Sequence, residues 1–233
     1  MRREAALRDR ETALTSREKE IRASGVKANN WPFNWYAILY HSIKDEVPEQ
    51  YQSLCKRMYA LCLYTFLSYA VFLLSALVLW FGVKDYGISY GFFPGLYTFC
   101  GVVTAWKWWY FPFYKALAKP KVRSWVSYFV GHSLHLGFTI FLCIGIPGTA
   151  STGMFVVLDV FSKGKNFAGI LCAVSLSLLV VNAIATALLL KKAHHTYRLQ
   201  GMEGAVQAAV ASAAVDAAVS NAMGGDNERF TAD

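Results

Sequence analysis

Polar and apolar positions in this chain come in blocks. Four long apolar runs stand out: Met58–Phe81, about Gly87–Trp106, about Val122–Ile146 and about Ala168–Leu190. Each is near or above the ~20 residues that cross ~30 Å of hydrocarbon at ~1.5 Å per residue. Their interiors carry no charge. The pattern predicts an all-α membrane protein with four transmembrane helices. The second run is interrupted by Pro94 and several glycines, which a span tolerates when neighbouring helices satisfy the freed backbone groups.

The blocks also set the domain organisation. Residues 1–27 are charged, with Leu7, Leu14 and Ile21 seven apart. That repeat fits either a lone stripe on a solvated helix or a coiled coil, whose seam needs further apolar positions. Residues 28–57 form an aromatic and proline-containing segment before the membrane, where Pro32 and Pro48 argue against one continuous helix. Residues 58–190 are the four-span domain, with an amphipathic loop at 107–121. Residues 191–233 form an alanine-rich tail, predicted as a weakly amphipathic or partly disordered helix.

Composition agrees and narrows the classes. The chain is 55% hydrophobic and only 16% charged, below the roughly 25% charge of an average soluble domain. The net charge of +8 does not imply nucleic acid, because the basic residues flank the apolar runs and form no separate domain. The cysteines Cys55, Cys62, Cys100, Cys143 and Cys172 show neither CxxC nor zinc-finger spacing. No P-loop, GxSxG, HExxH or dinucleotide fingerprint is present. The expectation is a protein that is not an enzyme and needs no cofactor or metal.

Charge placement gives orientation. Lys56 and Arg57 precede the first run; Lys107, Lys115, Lys119, Lys121 and Arg123 lie between the second and third; Lys191, Lys192 and Arg198 follow the fourth. The opposite side has Lys84, Lys163 and Lys165. The positive-inside rule then places both termini and the middle loop in the cytosol.

Within the spans, Gly87, Gly91 and Gly95 fit either close helix contact or a loop entering a helix kinked at Pro94. Asn182 needs a partner on another helix. His132 and His135 share one helical face. They are either neutral packing groups or the lining of an ion or proton path in a small channel or transporter. No intramembrane Asp, Glu, Lys or Arg accompanies them. Cys55, next to the first span, is a candidate for S-palmitoylation.

The segment from Trp106 to Arg123 is the most unusual. Its first sixteen residues, WKWWYFPFYKALAKPK, hold seven aromatics and four lysines with no acid. Tethered by a span at each end, it is predicted to lie in the headgroup layer. There Trp108, Trp109, Tyr110, Phe113 and Tyr114 would anchor, and Lys107, Lys115, Lys119, Lys121 and Arg123 would meet anionic lipid. An ordinary aromatic belt with positive-inside lysines is the plainer alternative.

This segment resembles the secretory carrier-associated membrane proteins, whose shared motif runs close to C-W-Y-R-P-I-Y-K-A-F-R. Trp109, Tyr110, Pro112, Tyr114, Lys115 and Ala116 match it. Trp108 stands for the cysteine, Phe111 and Ala118 for the arginines, and Leu117 for the phenylalanine. Further matches are Asn29-Asn30-Trp31-Pro32, the stretch from Glu46 to Gln52, Gly145-Ile146-Pro147-Gly148 and the stretch from Lys191 to Arg198. The resemblance implies a tetraspan vesicle protein of post-Golgi recycling, exocytosis and endocytosis, found in trans-Golgi, recycling endosome or secretory vesicle and plasma membrane. It also implies a middle segment that binds phosphoinositides, and trafficking proteins as partners. Asn-Pro-Phe repeats, which recruit EH-domain adaptors in many members, are missing; only Trp31-Pro32-Phe33 comes near. No EH-domain recruitment is therefore predicted. The oligomeric state is left open, a homo-oligomer included.

Overall fold

A computed structural model describes Arg8, residues 10–17, residues 29–33 and residues 36–229; of residues 32–39 and most of 202–229 it describes the backbone alone. The chain divides into two compact units, Met1–Glu46 and Val47–Asp233.

In the first unit, residues 10–17 are helical (α1). Leu14 is exposed on it, while Leu7 and Ile21 of the seven-residue stripe lie outside the described residues. An antiparallel hairpin follows, pairing β1 (Trp31–Phe33) with β2 (Tyr36–Leu39). The aromatic and β-branched residues here favour strand. Asn30 closes the hairpin's open end: its Nδ2 donates to the His41 carbonyl at 2.9 Å, and its Oδ1 accepts from the His41 N–H at 2.7 Å. The sequence pattern had not predicted these strands. The short α2 (Ile43–Glu46) ends the unit.

The second unit is a helical bundle. α3 (Glu49–Gly82) begins directly after Pro48, which has an extended ψ of 141°. It therefore starts well before the apolar run, within the predicted pre-membrane segment. α4 (Ser89–Thr104) contains Pro94 and continues without a break into a π-helical segment, Ala105–Tyr110, and then α5 (Phe111–Ala118). α6 (Val122–Ile144) ends at Gly145, whose left-handed φ of 73° closes the helix. A Cβ at Gly145 would also collide with the Gly153 backbone. α7 (Met154–Ser162) lies within the predicted third loop, and α8 (Asn166–Arg229) carries the fourth apolar run onward through the alanine-rich tail.

Among the described residues, three helical stretches are long and apolar enough to cross a membrane: Glu49–Gly82, Val122–Ile144 and Asn166–Gly201. α4 alone has 16 residues, about 24 Å at ~1.5 Å per residue, and reaches a bilayer's thickness only with its π-helical continuation.

Side-chain placement explains why this is a membrane bundle. Leu67, Leu74, Phe99, Val126, Leu134 and Val181 point outward from the helices. Thr65, Ser68, Ser75, His132, Thr139, Ser175 and Asn182 are wholly buried. In water that arrangement would be inside out, whereas in hydrocarbon polar groups gather inside, where a partner within the protein can be found. Asn182 does so across helices: its Nδ2 donates to Thr65 Oγ1 at 3.1 Å and Ser68 Oγ at 2.9 Å, and its Oδ1 accepts from Thr186 at 3.2 Å. A second polar contact links α3 to α8, with Ser75 Oγ donating to Thr152 Oγ1 at 3.1 Å, which lies 3.4 Å from Ser175 Oγ.

The glycine ladder does not make close helix contact as a unit. Gly87 precedes α4, and Gly87 and Gly95 face open space. Only Gly91 is tightly packed, against the Trp80 ring.

Candidate functional site

The segment predicted as a loop at 107–121 is helical almost throughout. Only Lys119, Pro120 and Lys121 connect α5 to α6. Pro112 follows directly on the π-helical segment within this continuous helix, and it has no N–H to bond the preceding turn.

This helix presents two faces. Trp109, Tyr110, Phe113, Tyr114, Ala116 and Leu117, at helical spacing, are buried. The Trp109 ring lies 4.6 Å from His132 and 5.5 Å from His135 on α6. Phe113 packs on Tyr128 at 4.8 Å and on Trp125 at 5.8 Å. Tyr110 meets Tyr59 of α3 at 5.3 Å. Four of the five aromatics expected in the headgroup layer thus face the protein interior, and Trp108 alone is exposed, at 54%. The π-helical segment widens the helix by a residue per turn, and it lies where the Trp108 backbone comes against Gly131. A Cβ on Gly131 would sit 2.5 Å from the Trp108 carbonyl oxygen, so the missing side chain permits the approach.

On the outer face, Lys107, Lys115, Lys119, Lys121 and Arg123 are all exposed. Lys115 Nζ sits 4.2 Å above the Phe111 ring. None of these five cations forms an ion pair with an acidic side chain among the described residues. Lys107, Phe111, Lys115 and Lys119 are four apart. That interval was the available signal for a two-faced helix here, obscured by Pro112 and by the density of aromatics on both faces.

The same end of the bundle carries the other predicted cytosolic positions. Trp125 of α6 donates through Nε1 to Gln200 of α8 at 3.2 Å, and its ring lies 5.4 Å from Tyr197. Lys56, Arg57, Lys191, Lys192 and Arg198 are exposed there. Cys55, by contrast, is completely buried. Its juxtamembrane position suggested S-palmitoylation, but in this fold its sulfur faces the bundle interior and offers no access to an acyl donor.

His132 and His135 are enclosed by aromatic rings, with Tyr128 5.1 Å from His132 and Tyr69 6.1 Å from His135. Both His132 ring nitrogens, His135 Nε2, Trp109 Nε1, Tyr69 Oη and Tyr128 Oη are buried without a hydrogen-bond partner among the described residues. No group of three metal-ligating side chains occurs among the described residues.

The fold and the charged end define an α-helical multi-pass membrane protein with a cationic helical face beside its spans. The sequence matches the SCAMP family over residues 28–200, and the chain belongs to that family. Secretory carrier-associated membrane protein 4 of Arabidopsis thaliana is 27% identical over 201 residues, 84% of this chain and 75% of that relative. Secretory carrier-associated membrane protein 2 of Homo sapiens is 27% identical over 186 residues, 76% of this chain but 55% of that protein. Human secretory carrier-associated membrane protein 4 is 28% identical over 167 residues, 70% of this chain and 69% of that protein. No solved structure matches the chain.

Proposed function

We infer that this chain is a non-enzymatic vesicle membrane protein of secretory and endocytic traffic, and that its cationic helix 107–121, with Arg123, binds anionic lipid, phosphoinositides in particular. The observation that carries the reading is the division of that helix into two faces. The aromatic face fixes it to α3 and α6, and the opposite face offers five cations that form no ion pair among the described residues. In this reading Trp109, Tyr110, Phe113 and Tyr114 hold the helix in place. Lys107, Lys115, Lys119, Lys121 and Arg123 make the lipid contact, with Trp108 entering the headgroup layer. Lysines and arginines near an anionic surface contribute about 1 kcal/mol each, screened by salt. The arginines of the family motif are absent at Phe111 and Ala118, so Lys107, Lys119, Lys121 and Arg123 supply the charge here.

Membership in a secretory carrier family and the relatives' names support the trafficking role. The clustering of basic residues at one end supports cytosolic termini. Protease treatment of sealed vesicles would then digest both tails, and tails that survive would reverse the orientation. Imaging a tagged chain beside Golgi, recycling endosome and plasma membrane markers tests the compartments.

For lipid binding, the full chain reconstituted in phosphatidylcholine vesicles should capture added vesicles containing phosphatidylinositol phosphates, less strongly as salt rises. Equal capture of neutral vesicles would leave only an aromatic belt and a structural scaffold. The unpartnered nitrogens of His132 and His135 favour one second reading, a small channel or transporter. Proton flux into proteoliposomes that disappears in His132→Ala would support it over the lipid-organising role.

A further inference from the structure

Away from the 107–121 helix, the same end of the bundle has a second cationic feature. α3 and α8 part there and leave an open groove of about 850 Å³. Their antiparallel register is set deeper in the bundle by the Asn182 bonds to Thr65 and Ser68. Counting outward from those bonds at ~1.5 Å per residue, Arg57 and Lys191 reach roughly the same level.

The lining is layered along that direction. Ala185, Leu188 and Leu189 form the inner, apolar wall. Arg57, Lys191 and Lys192 come next, all exposed, and none forms an ion pair among the described residues. Gln50, Ser53, His195 and Thr196 stand at the outer part and supply hydrogen-bonding groups, with Leu54 beside them on α3. None of the described lining residues is acidic.

Along α8 that order, apolar then cationic then hydrogen-bonding, is the order of a phospholipid read from acyl chain to headgroup. A free anion would use the cations and leave the apolar wall bare. α3 and α8 are both long and apolar enough to span a bilayer, so lipid is the solvent on this flank. Basic pockets between membrane helices favour anionic headgroups.

We propose that the α3–α8 groove binds one anionic glycerophospholipid, its phosphate on Arg57, Lys191 and Lys192 and one acyl chain along Ala185, Leu188 and Leu189. The site is separate from the 107–121 helix and does not rest on the reading given for it.

Native mass spectrometry of the detergent-purified full chain, titrated with phosphatidylserine or phosphatidylcholine, tests this. One phosphatidylserine should remain bound under activation that strips phosphatidylcholine. The triple change Arg57→Gln, Lys191→Gln, Lys192→Gln should weaken that adduct about tenfold or more. Ala185→Phe, which fills the apolar wall and leaves the charges in place, should weaken it severalfold. Leu188→Gln, at an exposed position, should do the same if Ala185→Phe disturbs folding. Lys115→Gln, Lys119→Gln, Lys121→Gln should leave it intact. Equal retention of phosphatidylcholine overturns the proposal, as does an adduct unmoved by the Arg57 triple. Loss with the charge variant but with neither apolar variant would mean surface charge alone and sink the groove. Displacement by soluble glycerophosphoserine as readily as by the lipid would assign the site to a free anion instead.

Discussion

The two ends of the bundle treat charge in opposite ways. At one end, Lys163 lies between two carboxylates, 2.7 Å from Asp159 Oδ2 and 3.1 Å from Asp85 Oδ2. Tyr86 donates to the same Asp159 oxygen at 2.6 Å, and the Lys163 ammonium lies 5.2 Å from the Tyr86 ring centroid. These three charges satisfy one another and tie the α3–α4 connection to α7, while the exposed Lys84 and Lys165 form no ion pair among the described residues. At the other end, Lys107, Lys115, Lys119, Lys121 and Arg123 face outward and form no ion pair with an acid among the described residues. Paired charges build local structure, while unpaired ones at a membrane edge are available to an outside anion. The aromatic face of the 107–121 helix lets this second arrangement exist, because packing holds the segment where its own charges repel.

The largest way to break this contrast is to remove that packing. Trp109→Ala deletes a fully buried ring between α6 and the π-helical segment. It should lower stability by about 3–5 kcal/mol, read as a drop in the detergent melting temperature. A melting temperature within error of the parent would mean that the helix is not held by this contact.

Removing the charge should leave the fold alone. Lys115→Gln, Lys119→Gln, Lys121→Gln should reduce affinity for anionic vesicles by about 3 kcal/mol at low salt, with less loss at high salt. Its melting temperature should match the parent's. Unchanged vesicle affinity would remove these lysines from the lipid-binding reading.

A smaller effect is expected midway between the ends. Asn182→Leu removes one of the polar links from α8 to α3, but Thr65 and Ser68 keep bonds to the carbonyls of Leu61 and Thr65. The loss should be about 0.6–1.7 kcal/mol. A double-mutant cycle with Ser68→Ala measures it, and a coupling of zero would contradict the hydrogen bond.

The smallest effect belongs to the paired end, because its groups are exposed and screened. Lys163 first, and the Tyr86 hydroxyl second, hold the Asp159 carboxyl below its ordinary value of 3.8. This contribution is present above pH 3.8 and fades as the pH falls through the lowered value. Asp159 first, and Asp85 second, raise Lys163 above its ordinary 10.5. That contribution is complete below pH 10.5 and is lost as the pH climbs through the raised value. Melting temperature should therefore fall slightly at both extremes, and Asp159→Asn should remove most of the acid-side fall. The cationic helix offers no such pairing, so Lys115→Gln should leave the acid-side fall in place.

Much of this molecule follows from its pattern of residues. The apolar blocks identify a membrane bundle because hydrocarbon leaves few alternatives to helices of sufficient length. Asn182 in an apolar run required a partner across helices, and Thr65 and Ser68 provide it. The functional segment was only half legible. Its lysines are exposed, as their charge demands, but its aromatics suit both a membrane interface and a protein core. Composition does not distinguish those two environments.

The sequence by itself therefore determined the membrane class, the family and the basic residues at the ends of the apolar runs. These depend on hydrophobicity and charge, which act through composition and order along the chain. Tertiary structure alone decided that Trp109, Tyr110, Phe113 and Tyr114 turn inward, that Cys55 is closed off and that Asp85, Asp159 and Lys163 meet. It also decided that Arg57, Lys191 and Lys192 share one groove. Each of these depends on which distant helix lies alongside, as at Gly131, where the missing Cβ admits the Trp108 backbone. Contact at that range is set by the packing of the whole bundle, which no local run of residues specifies.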